Sequence, residues 1–155
     1  MTAVAVGTEV SILDNTTNKL MANPLIYVSI KCHVDAIFDS KYKTAVYEAM
    51  KKKIGEVMKN NASKYTLDKT KGNSPVQYEL DVSLKVTNDD KSKPPRIVAN
   101  LVVVANAFKP SGVKKITVTG GAYSEGMSPD KGAPQATSDA VEEVMTKKVV
   151  PAMTP

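Results

Sequence analysis

Alternation of apolar and polar residues over two long segments restricts the fold of this chain more than any other feature. In the segment 76–87, VQYELDVSLKVT, every second side chain is apolar and the side chains between them are polar or charged. The segment 26–38, IYVSIKCHVDAIF, follows the same period from Ile26 to Ala36. Because successive side chains of a strand point to opposite faces of a sheet, both segments are predicted to be strands with one buried face.

A helical period replaces the alternation between residues 41 and 59. Apolar residues recur there every three or four positions, and most of the lysines fall on other sides of the predicted helix. This pattern predicts an amphipathic helix over 41–59, with Asp39 or Ser40 as its N-cap. Gly72 and Pro75 are typical of the loop that we expect to follow it.

The carboxyl-terminal part of the chain is predicted to form a second helix over 138–150. Its apolar residues again follow a helical period, and Asp139 with Glu142 resembles a capping box in which Asp replaces Ser or Thr. Pro151 is expected to end this helix because proline lacks the N–H that helical bonding requires. The segment 124–137, rich in Gly, Pro and Ser, is predicted to be a loop.

Two further strands, 96–108 and 115–123, complete the predicted sheet. The resulting order of strand, helix, three strands and helix predicts an α+β two-layer sandwich, with a four-stranded, mostly antiparallel sheet and two helices on one face. If the first two strands are neighbours joined through the helix, they are expected to run parallel with a right-handed crossover. The face under the helices is expected to bury Val28, Ile30, Val34, Leu80, Val82 and Leu101.

A chain of 155 residues is expected to form one domain, which we assign to residues 25–155. Residues 1–24 are predicted to be a separate N-terminal segment, whose TEVSIL stretch forms a short strand or covers part of the sheet. Aromatic residues make up only 5% of the chain and Trp is absent, so an aliphatic core is expected.

Cys32 and His33, the only cysteine and the only histidine, are adjacent. Neighbouring residues of a strand point to opposite faces, so the pair cannot reach the contact of about 2.6–3.2 Å that a nucleophile and its base require. We predict a buried, unreactive thiol and a surface histidine that forms a local ion pair with Asp35.

No catalytic, cofactor-binding or metal-binding residues are predicted, and the protein is expected to be non-enzymatic. One histidine and one cysteine cannot supply a zinc cluster. The segment 88–91, NDDK, lacks the spaced ligands of a calcium loop, and the glycines of TGGAYSEG lack the spacing of a dinucleotide or phosphate loop.

The net charge of +5 raises nucleic acid as an alternative partner. The order of elements is similar to that of double-stranded-RNA-binding domains, but the last predicted helix carries Asp139, Glu142 and Glu143, which would repel phosphate. The polar face of 77–87 also lacks the stacking aromatic residues of an RNA-binding sheet. These two observations weaken the nucleic-acid interpretation, so a basic nucleic-acid-binding domain is kept only as the alternative function.

The segment 96–108, RIVANLVVVANAF, is apolar on nearly both faces of its predicted strand. Ile97, Leu101 and Val103 can face the helices together with Ala99 and Ala105. Residues 1–24 either cover the opposite face or leave it open. An open apolar face or sheet edge is expected to bind a protein partner or a second copy of the chain, because such surfaces are common interaction sites. The predicted partner-binding residues are Val98, Val102, Val104 and Phe108.

The segment YELDVSL at 78–84 and the closing DAVEEVMTKKVVPAM resemble the corresponding strand and helix of a group of bacterial envelope domains. The group includes the lipopolysaccharide-assembly lipoprotein, the curli-secretion subunit, the amino-terminal domain of the Tol-system propeller protein and accessory lipoproteins of exporters. The resemblance covers about residues 25–153 and implies a non-enzymatic assembly or binding role in the envelope. A lipobox cysteine has no counterpart, because Cys32 lies inside a strand.

No segment approaches the roughly 20 apolar residues of a membrane-spanning helix, so no transmembrane segment is predicted and peripheral membrane association stays open. Residues 1–15 lack the basic start and the long apolar stretch of a signal peptide. We expect a periplasmic or outer-membrane-associated protein if a signal peptide has been removed, and a cytoplasmic protein otherwise.

Overall fold

The alternating segments form the strands of one mixed sheet in the computed structural model, which describes residues 24–153. The spatial order of the strands is β2-β1-β3-β4-β5. The strands are β1 (Ile26–Ile37), β2 (Tyr65–Thr66), β3 (Gln77–Asp89), β4 (Arg96–Lys109) and β5 (Gly112–Glu125). The helices are α1 (Lys43–Lys59), α2 (Pro129–Val144), a π-helical stretch (Met145–Val149) and α3 (Val150–Ala152).

The topology confirms the mixed α+β prediction but adds one strand to it. β1 runs parallel to β3 through the crossover that contains α1, and β3, β4 and β5 form an antiparallel meander. The fifth strand, β2, pairs only at Ile26 and Tyr27 of β1. Two residues are too few to show a period, so the sequence pattern could not reveal this strand.

Both helices pack on the face of the sheet that the alternation predicted to be buried. Leu80, Val82 and Leu101 are at most 1% exposed there, and Val46 and Met50 of α1 are fully buried in the same core. Each such side chain stabilises the fold by about 1.5–3 kcal/mol relative to exposure. An aliphatic core therefore holds the two layers together, as the shortage of aromatic residues predicted.

β1 departs from the predicted alternation near its carboxyl end. Its register with β3 shifts between Val34 and Ala36, so Ala36 is exposed instead of facing the helices. Val28 is fully buried, but Ile30 and Val34 are only half-buried. Both residues pack against the core on the predicted face, but their burial is only partial, because α1 leaves part of this strand uncovered.

The second helix begins well before the predicted residue 138. Ser128 is its N-cap and Pro129 occupies its first turn, so Asp139 lies inside the helix and does not cap it. Gly132 allows close packing here: a Cβ at this position would lie 2.8 Å from Ser124 Oγ and 2.9 Å from Ile97 Cδ1. Close packing against the sheet thus outweighs the local loop signals.

Pro151 does not end the last helix, which continues through α3 to Ala152. The buried Tyr78 of β3 donates a hydrogen bond of 2.7 Å to the carbonyl oxygen of Met153 and so ties this end of the chain to the sheet. Residues 1–23, which include nearly all of the predicted N-terminal cover, lie outside the described residues.

Candidate interaction surfaces

Cys32 and His33 lie on opposite faces of β1, as the alternation predicted. Cys32 is half-buried on the helix side, and burial raises the pKa of its thiol, with a smaller opposing effect of Lys51. A raised thiol pKa leaves less of the reactive thiolate near neutral pH. The arrangement offers no nucleophile activated by the neighbouring histidine.

The partner of His33 differs from the predicted Asp35. His33 Nε2 lies 2.8 Å from Asp81 Oδ1 on the outer face of the sheet, the face without helices. Asp81 of β3 lies directly opposite Lys31 of β1 and is therefore the diagonal neighbour of His33. Both side chains are about half-exposed, so the contact stabilises the fold by at most about 1 kcal/mol.

The four predicted partner-binding residues lie together on this outer face. Val98, Val102, Val104 and Phe108 share one side of β4, and β5 adds two exposed neighbours in register. Val113 pairs with Phe108, and Tyr123 pairs with Val98. We call this surface the apolar stripe, made of Val98, Val102, Val104, Phe108, Val113 and Tyr123.

The apolar stripe occupies only half of the outer face. On its other side, β3 presents alternating polar side chains that include Glu79, Asp81 and Lys85. At one end Arg96 stacks over the ring of Tyr123 at 4.4 Å and donates to Glu125 at 2.8 Å. The outer face therefore combines an apolar half with a half of mixed charge.

The edge of the sheet beside β5 is protected by lysine side chains. Lys148 reaches from the π-helical stretch to donate a hydrogen bond to the carbonyl oxygen of Thr119. Lys114 and Lys115 are exposed on the same strand. Lysines on an edge strand oppose pairing with another chain, so the outer face, and not this edge, is the accessible surface at β5.

A groove at the opposite end of the sheet was not predicted. It lies between α1 and the uncovered part of β1 and consists of two adjoining cavities of about 200 and 340 Å³. Gly55 and Leu67 line both cavities. We call it the α1–β1 groove; its further lining includes Ile30, Cys32, Tyr47, Lys51, Ile54, Met58, Lys59, Tyr65 and Lys71.

The backbone of β1 borders this groove with hydrogen-bonding groups that no described strand pairs with. Ile26 donates its N–H to the carbonyl oxygen of Lys64, on the side of β2. Alternate residues of a strand direct their backbone groups to the same side, so Ile30, Cys32 and Val34 direct theirs there as well. Within residues 24–153, no strand pairs with β1 on this side beyond Tyr27.

The described part of the chain shows no group of three or more His, Cys, Asp or Glu side chains placed to hold a metal ion. Among residues 24–153, no helix has the length and apolar character needed to cross a membrane.

Comparison with known proteins yields a structural likeness at low similarity. A minor lipoprotein from Acinetobacter baumannii aligns with 81% of this chain and 94% of its own, at 9% sequence identity and a TM-score of 0.42. No family model and no curated protein sequence matches the chain.

Proposed function

We propose that the protein is a non-enzymatic binding or assembly module that contacts a protein partner, or a second copy of itself, through the apolar stripe. The observation that carries this proposal is the exposure of large apolar side chains on one face of two paired strands. Val102 is 39% exposed, Phe108 37%, Val113 65% and Tyr123 50%. Asn100 and Asn106 interrupt the stripe, so it consists of three small clusters: Val98 with Tyr123, Val102 with Val104, and Phe108 with Val113. Single exposed apolar residues are ordinary on a protein surface, but several clusters on one face are a common mark of an interaction site.

The composition of the apolar stripe suits a protein interface. Burying a Val or Phe side chain is worth about 1.5–3 kcal/mol in full, and the stripe offers several partly exposed ones to a partner. Tyr123 and Arg96 add the residue types that often dominate binding energy at the centre of interfaces. A location in the bacterial envelope is part of the proposal, and its support is the resemblance of YELDVSL and the closing helix to envelope domains.

Replacement of Val102 by Lys tests the proposal. Val102 lies in the middle of β4 on the outer face, so the lysine ammonium can reach water without disturbing the core. Full-length wild-type and V102K chains would be compared by size-exclusion chromatography with light scattering and by quantitative capture of partners from an extract of the source cells. We expect V102K to lose the self-association or the partner that the wild type shows.

Ser63→Lys provides the matched control because it adds the same charge at an exposed position in the turn that follows α1. This control should bind as the wild type does, whatever the partner. Unchanged association and unchanged capture by V102K, in a chain with a wild-type melting temperature, would show that the apolar stripe is not the contact surface.

A further inference from the structure

We propose that the α1–β1 groove binds an extended, acidic segment of another protein, which adds to the sheet as a strand beside β1. This site is separate from the apolar stripe and lies on the other layer of the domain. Three independent features of the groove support it: an unpaired strand edge, a helix glycine that keeps the groove open, and a lysine-lined rim.

The strand edge supplies the backbone part of the site. Ile30, Cys32 and Val34 direct their N–H and C=O groups toward the groove side, where no described strand meets them. Their side chains are half-buried and uncharged, and the charged or polar neighbours Lys31 and His33 alternate with them on the outer face of the sheet, away from the groove. An added strand would satisfy these backbone groups, and alternate side chains of that strand would enter the groove.

Gly55 keeps the groove open. It occupies the interior of α1, where glycine is less favourable than alanine, and a Cβ at this position would meet no atom within 4 Å. Close packing within the described chain therefore does not explain the glycine. Its position in the lining of both cavities does, because a larger side chain would narrow the space in which a bound segment would lie.

The charges of the lining indicate an acidic segment. Lys51, Lys59 and Lys71 line the two cavities, and no acidic residue of the segment 24–153 lines either of them. Leu67, which is 49% exposed, lies between the cavities and provides an apolar floor. The favoured ligand thus has apolar residues at every second position and carboxylates among the residues between them.

A peptide selection on the intact protein tests this inference. A displayed library of random peptides of about ten residues, a length that matches the unpaired part of β1, would be selected on the immobilised full chain. The enriched sequence would then be synthesised with a fluorescent label and titrated with each variant. We expect alternating apolar residues and an excess of Asp and Glu among the enriched sequences.

Two pairs of variants make the titration specific to the groove. Gly55→Leu should weaken peptide binding by at least about tenfold, whereas Gly55→Ala should retain most of it. Lys51→Glu should weaken binding similarly, whereas Lys52→Glu, an equal charge change at an exposed position outside the groove lining, should not. Thermal melting of each variant confirms that the fold is retained.

Amide hydrogen exchange followed by NMR distinguishes strand addition from simple occupancy of the groove. Bound peptide should slow exchange of the amides of Ile30, Cys32 and Val34, which point to the added strand. The amides of the residues between them bond to β3 in either state and should change little. A peptide that binds without slowing these three amides would overturn the proposed mode.

Other occupants of the groove would also overturn the inference. A full-length dimer that Gly55→Leu dissociates would identify a second copy as the occupant. If the full chain binds peptide only when it carries Val10→Asp, the protein's own amino-terminal residues occupy the groove in the wild type, and the substitution displaces them. The site would be excluded if the selection failed to enrich alternating sequences, or if wild type, Gly55→Leu and Lys51→Glu bound the peptide equally. None of these results tests the apolar stripe.

Discussion

Removal of the Tyr78 hydroxyl should loosen the attachment of the last helix to the sheet. Tyr78 is 2% exposed, and its hydroxyl donates a 2.7 Å hydrogen bond to the carbonyl oxygen of Met153. Tyr78→Phe keeps the ring in the core but leaves this carbonyl without its donor. The lost bond and the unpaired acceptor together should lower the free energy of unfolding by about 1–2 kcal/mol at neutral pH.

The pH dependence of this loss provides a second readout. Burial raises the pKa of Tyr78 above its ordinary value of 10.0, so the folded chain holds the phenolic proton more tightly than the unfolded chain does. The corresponding stabilisation is fully present below pH 10 and is lost as pH rises through the folded-state pKa. The stability difference between wild type and Tyr78→Phe should therefore shrink above pH 10.

Urea unfolding and thermal unfolding, both followed by circular dichroism at neutral and at alkaline pH, measure the two effects. At neutral pH the melting temperature of Tyr78→Phe should fall by about 2–8 °C for a chain of this size. Tyr123→Phe is the control, because it removes a hydroxyl from a half-exposed ring on the outer face and should change the free energy of unfolding by less than about 0.5 kcal/mol. Equal stability of Tyr78→Phe and wild type at neutral pH, or a difference that does not shrink with pH, would refute the reasoning.

Two further substitutions test the packing of α2 and the role of the Cys-His pair. Gly120→Ala should lower the free energy of unfolding by about 1–3 kcal/mol, because its Cβ would lie 2.7 Å from Val144 Cγ2. Thermal melting measures the change, and Gly55→Ala is the control because a Cβ at that position meets no atom within 4 Å. The double variant Cys32→Ser, His33→Ala should stay folded and retain partner capture through the apolar stripe; loss of capture by a folded double variant would contradict a purely structural role for the pair.

Local periods in the sequence were sufficient to predict β1, β3 and α1, because each presents one face to the core and one to solvent over many residues. The outer face of β4 could be predicted for a related reason. Val98, Val102 and Val104 are apolar on the parity that the helices cannot cover, and the structure places them on the outer face. Their binding role stays a prediction, as does the absence of catalysis.

The start of α2 could not be predicted from local signals. Gly132 and Pro134 are typical of a loop, yet both lie inside the helix. The small side chains of Gly132, Ala133 and Ala136 are buried there, and the close packing against the sheet that they allow depends on residues far away in the chain. Tertiary packing overrides weak local propensity in such segments.

Local periods show which side chains share a face, because the periods of strands and helices are properties of the local backbone. They are sufficient to predict the α+β class, the separation of Cys32 from His33 and the apolar outer face of β4. Which parts of those faces are covered depends instead on how distant elements pack. α1 leaves Ile30 and Val34 partly uncovered, and this incomplete overlap of two layers creates the α1–β1 groove, since coverage depends on where distant elements pack.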